Sequence, residues 1–440
     1  MRVPHDSTQD PFGVLAAGDT GDLAPLGRWF FYSQLDASNS AMFHKAVTSF
    51  GQDLWEMSRR HEPLLYCLIA SVFRKKSFFQ DSEGDRHWLF YKGKVLSMIQ
   101  RAIRQGEGSR DPLLWVAIVF LSTFDIGDRH FETAVTHLRG LRDMIHMEQL
   151  TDNQWMYCAY TDFRVALMLN IKPVLPYYIT PYYRMEHPLI LSRRPEARRL
   201  ALHNSKFSPR GPMMKPEASF DLFRKLHGVS LAWESLNASD RLPFGEVYDL
   251  EYSILSLNAN AAASSDPSAF TIELLACAAE LHVLALTRFW TPQRQQTPIS
   301  VLRRAQARIS QHRSLLSDWQ RYAHASSLLW VLFALLASMS AFGLSSSHSV
   351  PVLQLLHDTL AHLRMKSSKR FVTELRKWPW LEHWHDDLAE RTWVQSSVRK
   401  DGPAGPWQRL SGDQREKGDS RNAPKRDRLY IGALQFYTGA

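Results

Sequence analysis

Between Tyr322 and His357 the chain runs for 36 residues without an Asp, Glu, Lys or Arg. The apolar heart of this stretch, Leu328 to Leu344, spans 17 residues and is interrupted only by Ser338 and Ser340. A helix that is apolar on every side must be enclosed, either by lipid or by other helices. A bilayer span needs ~20 apolar residues and is usually flanked by basic anchors. This run sits at the lower limit and has no adjoining basic cluster. It therefore reads as a central helix of a helical protein, with no membrane partner. Enclosing it requires many other helices, and with 45% apolar residues and 14 tryptophans the chain can build that core.

The remaining periodicity supplies those helices, and hardly any alternating, strand-like run occurs. Helices are predicted from Pro63 to Lys76, over 86–105, from Asp111-Pro112 through Phe124, and over 128–148 and 152–170. In the fourth of these, Phe131, Val135, Leu138, Leu141 and Ile145 share one face, so substituting Phe131 or Leu138 by Asp is expected to unfold the domain. Gly140, in mid-helix, predicts a close crossing by another helix. Five prolines between 173 and 195, among four tyrosines, predict that helix stops there. Helices resume at 217–236, 244–262, 266–290, 298–321, 325–343, 351–366 and 369–395. The expected fold class is all-α, an irregular multi-helix bundle with a Pro/Tyr-rich central connector and disordered ends. The expected organisation is a flexible leader at 1–39, a helical domain at 40–395 and a disordered polar tail at 396–440. Two lobes, about 40–172 and 217–395, would be joined by the connector 173–216.

Charge is distributed unevenly. The chain carries 53 Lys and Arg against 44 Asp and Glu, a net +9. Residues 184–225 hold ten basic and four acidic residues, and residues 399–428 hold nine and five. The body outside these two segments is close to neutral. A nucleic-acid reader more often sets its cations along one helix or among exposed aromatics, so the excess reads as solvated charge in a loop and a tail. Lys425-Arg426-Asp427-Arg428 is a weak nuclear-import cluster at best.

Motifs of catalysis are mostly missing. The sequence contains no His-Glu-x-x-His, no phosphate-binding Gly-x-x-x-x-Gly-Lys-Ser/Thr and no Gly-x-Gly-x-x-Gly. Gly228-Val229-Ser230-Leu231-Ala232 approaches a nucleophile elbow but ends in Ala and lies inside a helical pattern. The three cysteines, Cys67, Cys158 and Cys277, are 91 and 119 residues apart. They offer neither metal-ligand spacing nor a closed disulfide framework, which points to a reducing compartment. His383 and His385 project ~200° apart on a helix and would not converge on one ion. His137 and His146 read as structural histidines. Asp386, Asp387 and Glu390 form the one cluster with a chemical alternative. All-helical terpenoid synthases hold Mg²⁺ with an Asp-Asp-x-x-Asp/Glu group, but the second metal motif of such enzymes would have to lie in the polar tail. No catalytic, cofactor-binding or metal-binding residue is assigned, and no cofactor is expected.

One resemblance emerges from the middle of the chain. His137-Leu138-Arg139-Gly140-Leu141-Arg142-Asp143-Met144 is similar to the HL-x-G-L-x-x-M helix of the fungal-specific transcription factor domain. Trp155, then Tyr160-Thr161-Asp162-Phe163-Arg164-Val165-Ala166, then Lys172-Pro173-Val174-Leu175-Pro176 resemble that family's continuation. Leu328 to Phe333 and the tryptophans 378, 380, 384 and 393 fit its closing segments, so the resemblance spans roughly 45–395. It implies a nuclear, non-enzymatic regulatory domain of a fungal transcription regulator, controlling for example a metabolic gene cluster. Such a domain usually follows a binuclear zinc cluster of six cysteines, which three distant cysteines cannot form. The resemblance thus implies contacts with other transcription regulators, or self-association, through the helical domain. DNA would be reached only indirectly or through a missing module, and a small-molecule effector is compatible with the family.

Overall fold

The computed structural model describes residues 53–397, apart from 81, 210–213, 237–242, 267–268, 288–295, 313–318, 320–324 and 342–345. The leader expected at 1–39 and the tail from 398 onward lie outside the described residues. The architecture is all-α, as the periodicity predicts. After a helical stretch at 53–60 come α1 (Glu62–Gln80), α2 (Ser82–Arg104), α3 (Pro112–Gly127), α4 (Phe131–Arg142) and α5 (Asp152–Leu169). Then follow α6 (Pro181–Arg184), α7 (Pro188–Phe207), α8 (Pro216–Glu234), α9 (Phe244–Ala262) and α10 (Ala269–Thr287). The chain continues with α11 (Gln296–Gln311), α12 (Ala325–Ala341), α13 (Ser346–His362), α14 (Ser368–Leu375) and α15 (Glu382–Ser397). Successive helices pair as hairpins, α1 with α2, α3 with α4, α7 with α8, α9 with α10 and α12 with α13. Helix α5 also packs against α9 and α11, tying the first five helices to the later ones.

Local chemistry sets the boundaries. Asp111 caps α3 by accepting from Leu113 N at 2.9 Å, with Pro112 in the first turn. Thr151 and Gln154 form a capping box at the start of α5. The cap of α5 is therefore Thr151. The helix expected over 128–148 is shorter. It ends at Arg142, and a single 3-10 turn, Met147–Gln149, follows. Gly140 lies on the exposed side of α4, and among the described residues nothing comes within 4 Å of where its Cβ would be. The helix crossing predicted at Gly140 is not found there. At Gly245, by contrast, a Cβ would collide with the Tyr183 carbonyl, so a glycine is required where α9 packs against α6.

The Pro/Tyr-rich connector is only partly irregular. Residues 171–180 are, but Pro188 occupies the first turn of the 20-residue α7 and Pro195 lies within it. Pro195 sits on the solvent face, where the carbonyl it leaves unpaired can bond to water. The basic excess at 184–225 is thus carried largely by helices, not by a loop.

Buried side chains from Leu54 to Ala389 form one uninterrupted hydrophobic cluster. Helix α12 is its centre, with Leu328 through Ala337 all buried. Trp330 and Trp378 stack with ring centroids 5.8 Å apart and Phe223 edge-on to both. Their indole N–H groups donate to Pro379 O and Ser326 Oγ. By length and composition α10 is apolar enough to cross a membrane. Here it is enclosed by α9, α11 and α12.

Candidate functional site

Several of the residues that carry the family resemblance are built into the core. Leu138 and Leu141 are buried, and His137 places Nε2 3.1 Å from Asp125 Oδ2. Lys92 Nζ lies 2.6 Å from the other oxygen of Asp125, and Asp128 pairs with Arg74. These groups clasp α1, α2, α3 and α4 together. Burial alone would raise the Asp125 carboxyl, but His137 and Lys92 hold it below the usual value. Asp162 accepts from Val174 N at 2.8 Å and Leu175 N at 2.9 Å, which fixes the Pro173–Pro176 turn onto α5. Burial pushes Asp162 up to about 7, against the pull of those two amides. The Trp155 indole donates to Tyr178 O at 2.8 Å and packs on Tyr248. His146 is exposed, 3.7 Å from Glu148. Each of these motif residues positions backbone or neighbouring helices.

The later helices contain two buried polar arrays. In the first, Ser230 Oγ lies 2.7 Å from Leu226 O and 2.7 Å from His282 Nε2. This resembles a nucleophile with its base, yet the serine proton is committed to the Leu226 carbonyl. A Ser230 hydroxyl that donates to Leu226 O accepts from the Nε2–H tautomer of His282. Both residues are sealed from solvent. His227 contacts Asn204 Oδ1 at 2.5 Å, and Asn204 donates to Lys377 O at 2.9 Å, joining α7, α8 and the turn after α14. Burial depresses His227 and His282 to about 3, so both are neutral structural groups at neutral pH.

The second array runs along the α9–α10–α11 contact. Glu273, Cys277 and Glu280 fall at steps of four and three and share one face of α10. Arg308 Nε lies 2.8 Å from Glu273 Oε2. One helical turn away, Arg304 flanks Cys277 and donates to Leu167 O at 3.0 Å. A further turn along, the buried Glu280 has no hydrogen-bond partner at either oxygen among the described residues. Burial raises Glu280 well above the usual glutamate value, the Glu251 carboxyl raises it further, and Arg304 offsets only part of this. Glu251 itself is raised to about 8 by burial of its carboxyl. Two glutamates seven apart in the otherwise apolar 269–287 segment are the sequence signal for this array.

Asp386, Asp387 and Glu390 are not assembled into an ion site. Asp386 is taken by Arg376 at 2.8 Å and by the Trp380 indole at 3.0 Å, and Asp387 pairs with Arg391 at 3.0 Å. His385 turns inward and accepts from Leu381 N at 3.0 Å. The side chain of His383 lies outside the described residues. Among the described residues no group of three or more His, Cys, Asp or Glu is placed to hold a metal ion. All three cysteines are buried, and burial pushes Cys158 up to about 12 and Cys67 and Cys277 above their usual value. Native protein treated with a thiol-specific chromogenic reagent is therefore expected to show no reactive thiol, and denatured protein three. Rapid labelling of the native protein would show an opening that this packing does not contain.

Residues 39–167 match the family model of the fungal specific transcription factor domain. The match covers under a third of the chain and contains the Asp125–His137 clasp and Asp162. The matched family is described as a transcription factor domain. No curated protein and no solved structure matches the chain.

Proposed function

We propose, taking the fungal specific transcription factor domain at residues 39–167 as the premise, that the whole helical body acts as the regulatory domain of a nuclear transcription regulator. The observation that carries this reading is the continuity of the core. The matched segment does not end in a closed domain of its own, because its buried side chains belong to a cluster that continues to Ala389. Among the described residues Asp125, Asp162 and His227 are held in packing roles by neighbouring helices or backbone, which directs the reading to the surface. On this reading the protein acts by contacting other regulators or a second copy of itself. DNA is reached through a partner or a module not encoded by the three buried cysteines, and the target genes are of the metabolic-cluster kind.

The test is to fuse the full chain to a heterologous sequence-specific DNA-binding module and measure a reporter gene in fungal cells. The expected result is a several-fold change in reporter output relative to the module alone, reversed when the fusion carries Leu138→Asp. A folded, nuclear fusion that leaves the reporter unchanged would contradict the proposal.

A further inference from the structure

Helix α7 gives the basic excess of the chain a geometry. Its buried face is made by Ile190, Ala197, Ala201 and Asn204, which pack towards α8. The opposite face carries Leu191, Pro195, Arg198, Arg199, Leu202 and Lys206, at helical steps of three and four, and all six are exposed. Leu191 is 46% exposed and Leu202 50%. Just before the helix, Met185 is 67% exposed. Flanking cations are neutralised, Arg194 by Glu186 and Arg193 by Glu196. Arg198, Arg199 and Lys206 have no carboxylate partner among the described residues. The ridge from Leu191 to Lys206 is ~22 Å long, and it alternates aliphatic side chains with unneutralised cations.

We propose that this ridge is the docking surface for an acidic, amphipathic helical segment of a partner protein. Carboxylates would meet Arg198, Arg199 and Lys206, and an apolar stripe would cover Leu191 and Leu202. Three alternatives fit less well. A second copy would bring like charges face to face. The chain's own 399–428 segment is also net positive. A nucleic acid could use the three cations, but Leu191, Pro195 and Leu202 offer nothing to a phosphate backbone, whereas an amphipathic peptide buries them. The proposal deepens the regulator reading by naming its partner class, and it is tested independently of that reading.

The probe is a fluorescein-labelled helical peptide as long as α7, with Leu at every third or fourth position and Glu on the flanks. A version with Gln for every Glu and a short DNA duplex serve as competitors. Full-length protein is expected to bind the acidic peptide more tightly than either competitor, and more weakly as salt is raised. The double variant Arg198→Glu/Arg199→Glu should lose about tenfold or more in affinity, and Leu191→Ser/Leu202→Ser should also lose several-fold. Both should keep the wild-type thermal midpoint, because these side chains are exposed. The proposal is overturned if the acidic peptide does not bind. It is equally overturned if the duplex binds more tightly, or if the Leu variants bind the peptide as wild type does. A reporter fusion that stays active with Arg198→Glu/Arg199→Glu fails this surface alone, whereas an inactive wild-type fusion that still binds the peptide fails the regulator reading alone.

Discussion

Leu138→Asp is expected to abolish the folded state. Leu138 is fully buried in α4, at the contact with α3 and α5. Truncating a core leucine costs about 2–5 kcal/mol by itself. Burying a carboxyl with no hydrogen-bond partner adds about 1–3 kcal/mol as judged from mutational data. The combined penalty is comparable to the total stability of a typical domain, roughly 5–15 kcal/mol. Phe131→Asp, which the helical face alone would rank as its equal, is expected to behave differently. Phe131 is only partly buried and is the first residue of α4. A carboxylate there faces the positive end of the helix dipole and keeps contact with water. Circular dichroism and gel filtration of the two variants check this: Leu138→Asp should be unfolded or aggregated, and Phe131→Asp folded with a lowered midpoint.

Glu280→Gln is expected to stabilise the protein, and to do so more as pH rises. Glu280 is buried with both oxygens unpartnered among the described residues, and its native carboxyl is raised well above the usual glutamate range, first by burial and then by Glu251. In the unfolded chain it ionises near the ordinary value. Between those two values the native state binds one proton more than the unfolded state, so wild-type stability falls with rising pH on account of this group. The variant loses that dependence. Relative to wild type its advantage should therefore be larger at the higher pH. Urea denaturation of both proteins at pH 5.5 and pH 7.5 reads the difference directly. An advantage that is the same at both pH values would mean that Glu280 is ionised in the native state and paired.

Much of this architecture could be read from the residues themselves. The segment 244–262 forms a helix over that very span, and the apolar run from Leu328 lies in the enclosed α12 because a helix with no polar face must be surrounded. Proline counting failed at α7. A proline in the first turn, as at Pro188, favours a helix, and one on a solvent face, as at Pro195, is tolerated. Composition cannot register either distinction, because both depend on where the helix begins. Apolar spacing carries the expected helix past its end at Arg142, because Ile145 keeps that spacing from beyond the turn, where it packs into the same core. Gly140 suggests a helix contact by its place in mid-helix, but the face it occupies is exposed. The buried arrays divide in the same way. Glu273 and Glu280 announce themselves as acids in an apolar helix, whereas Ser230 and His282 are 52 residues apart and meet only once α8 and α10 are packed. The basic excess at 184–225 was visible as a number, but its one-sided display required the helix.

All of this depends on residues 39–167 and the remainder of the chain forming one cooperative body. Hydrogen exchange of a mild core variant, Leu138→Ala, tests that point. The substitution should cost about 3 kcal/mol, and the slowest amides should lose that same amount of protection in α4 and in the distant α12, because both are protected only by global unfolding. Protection lost over 131–142 while 325–341 stays as in wild type would show two separately stable domains and contradict the account.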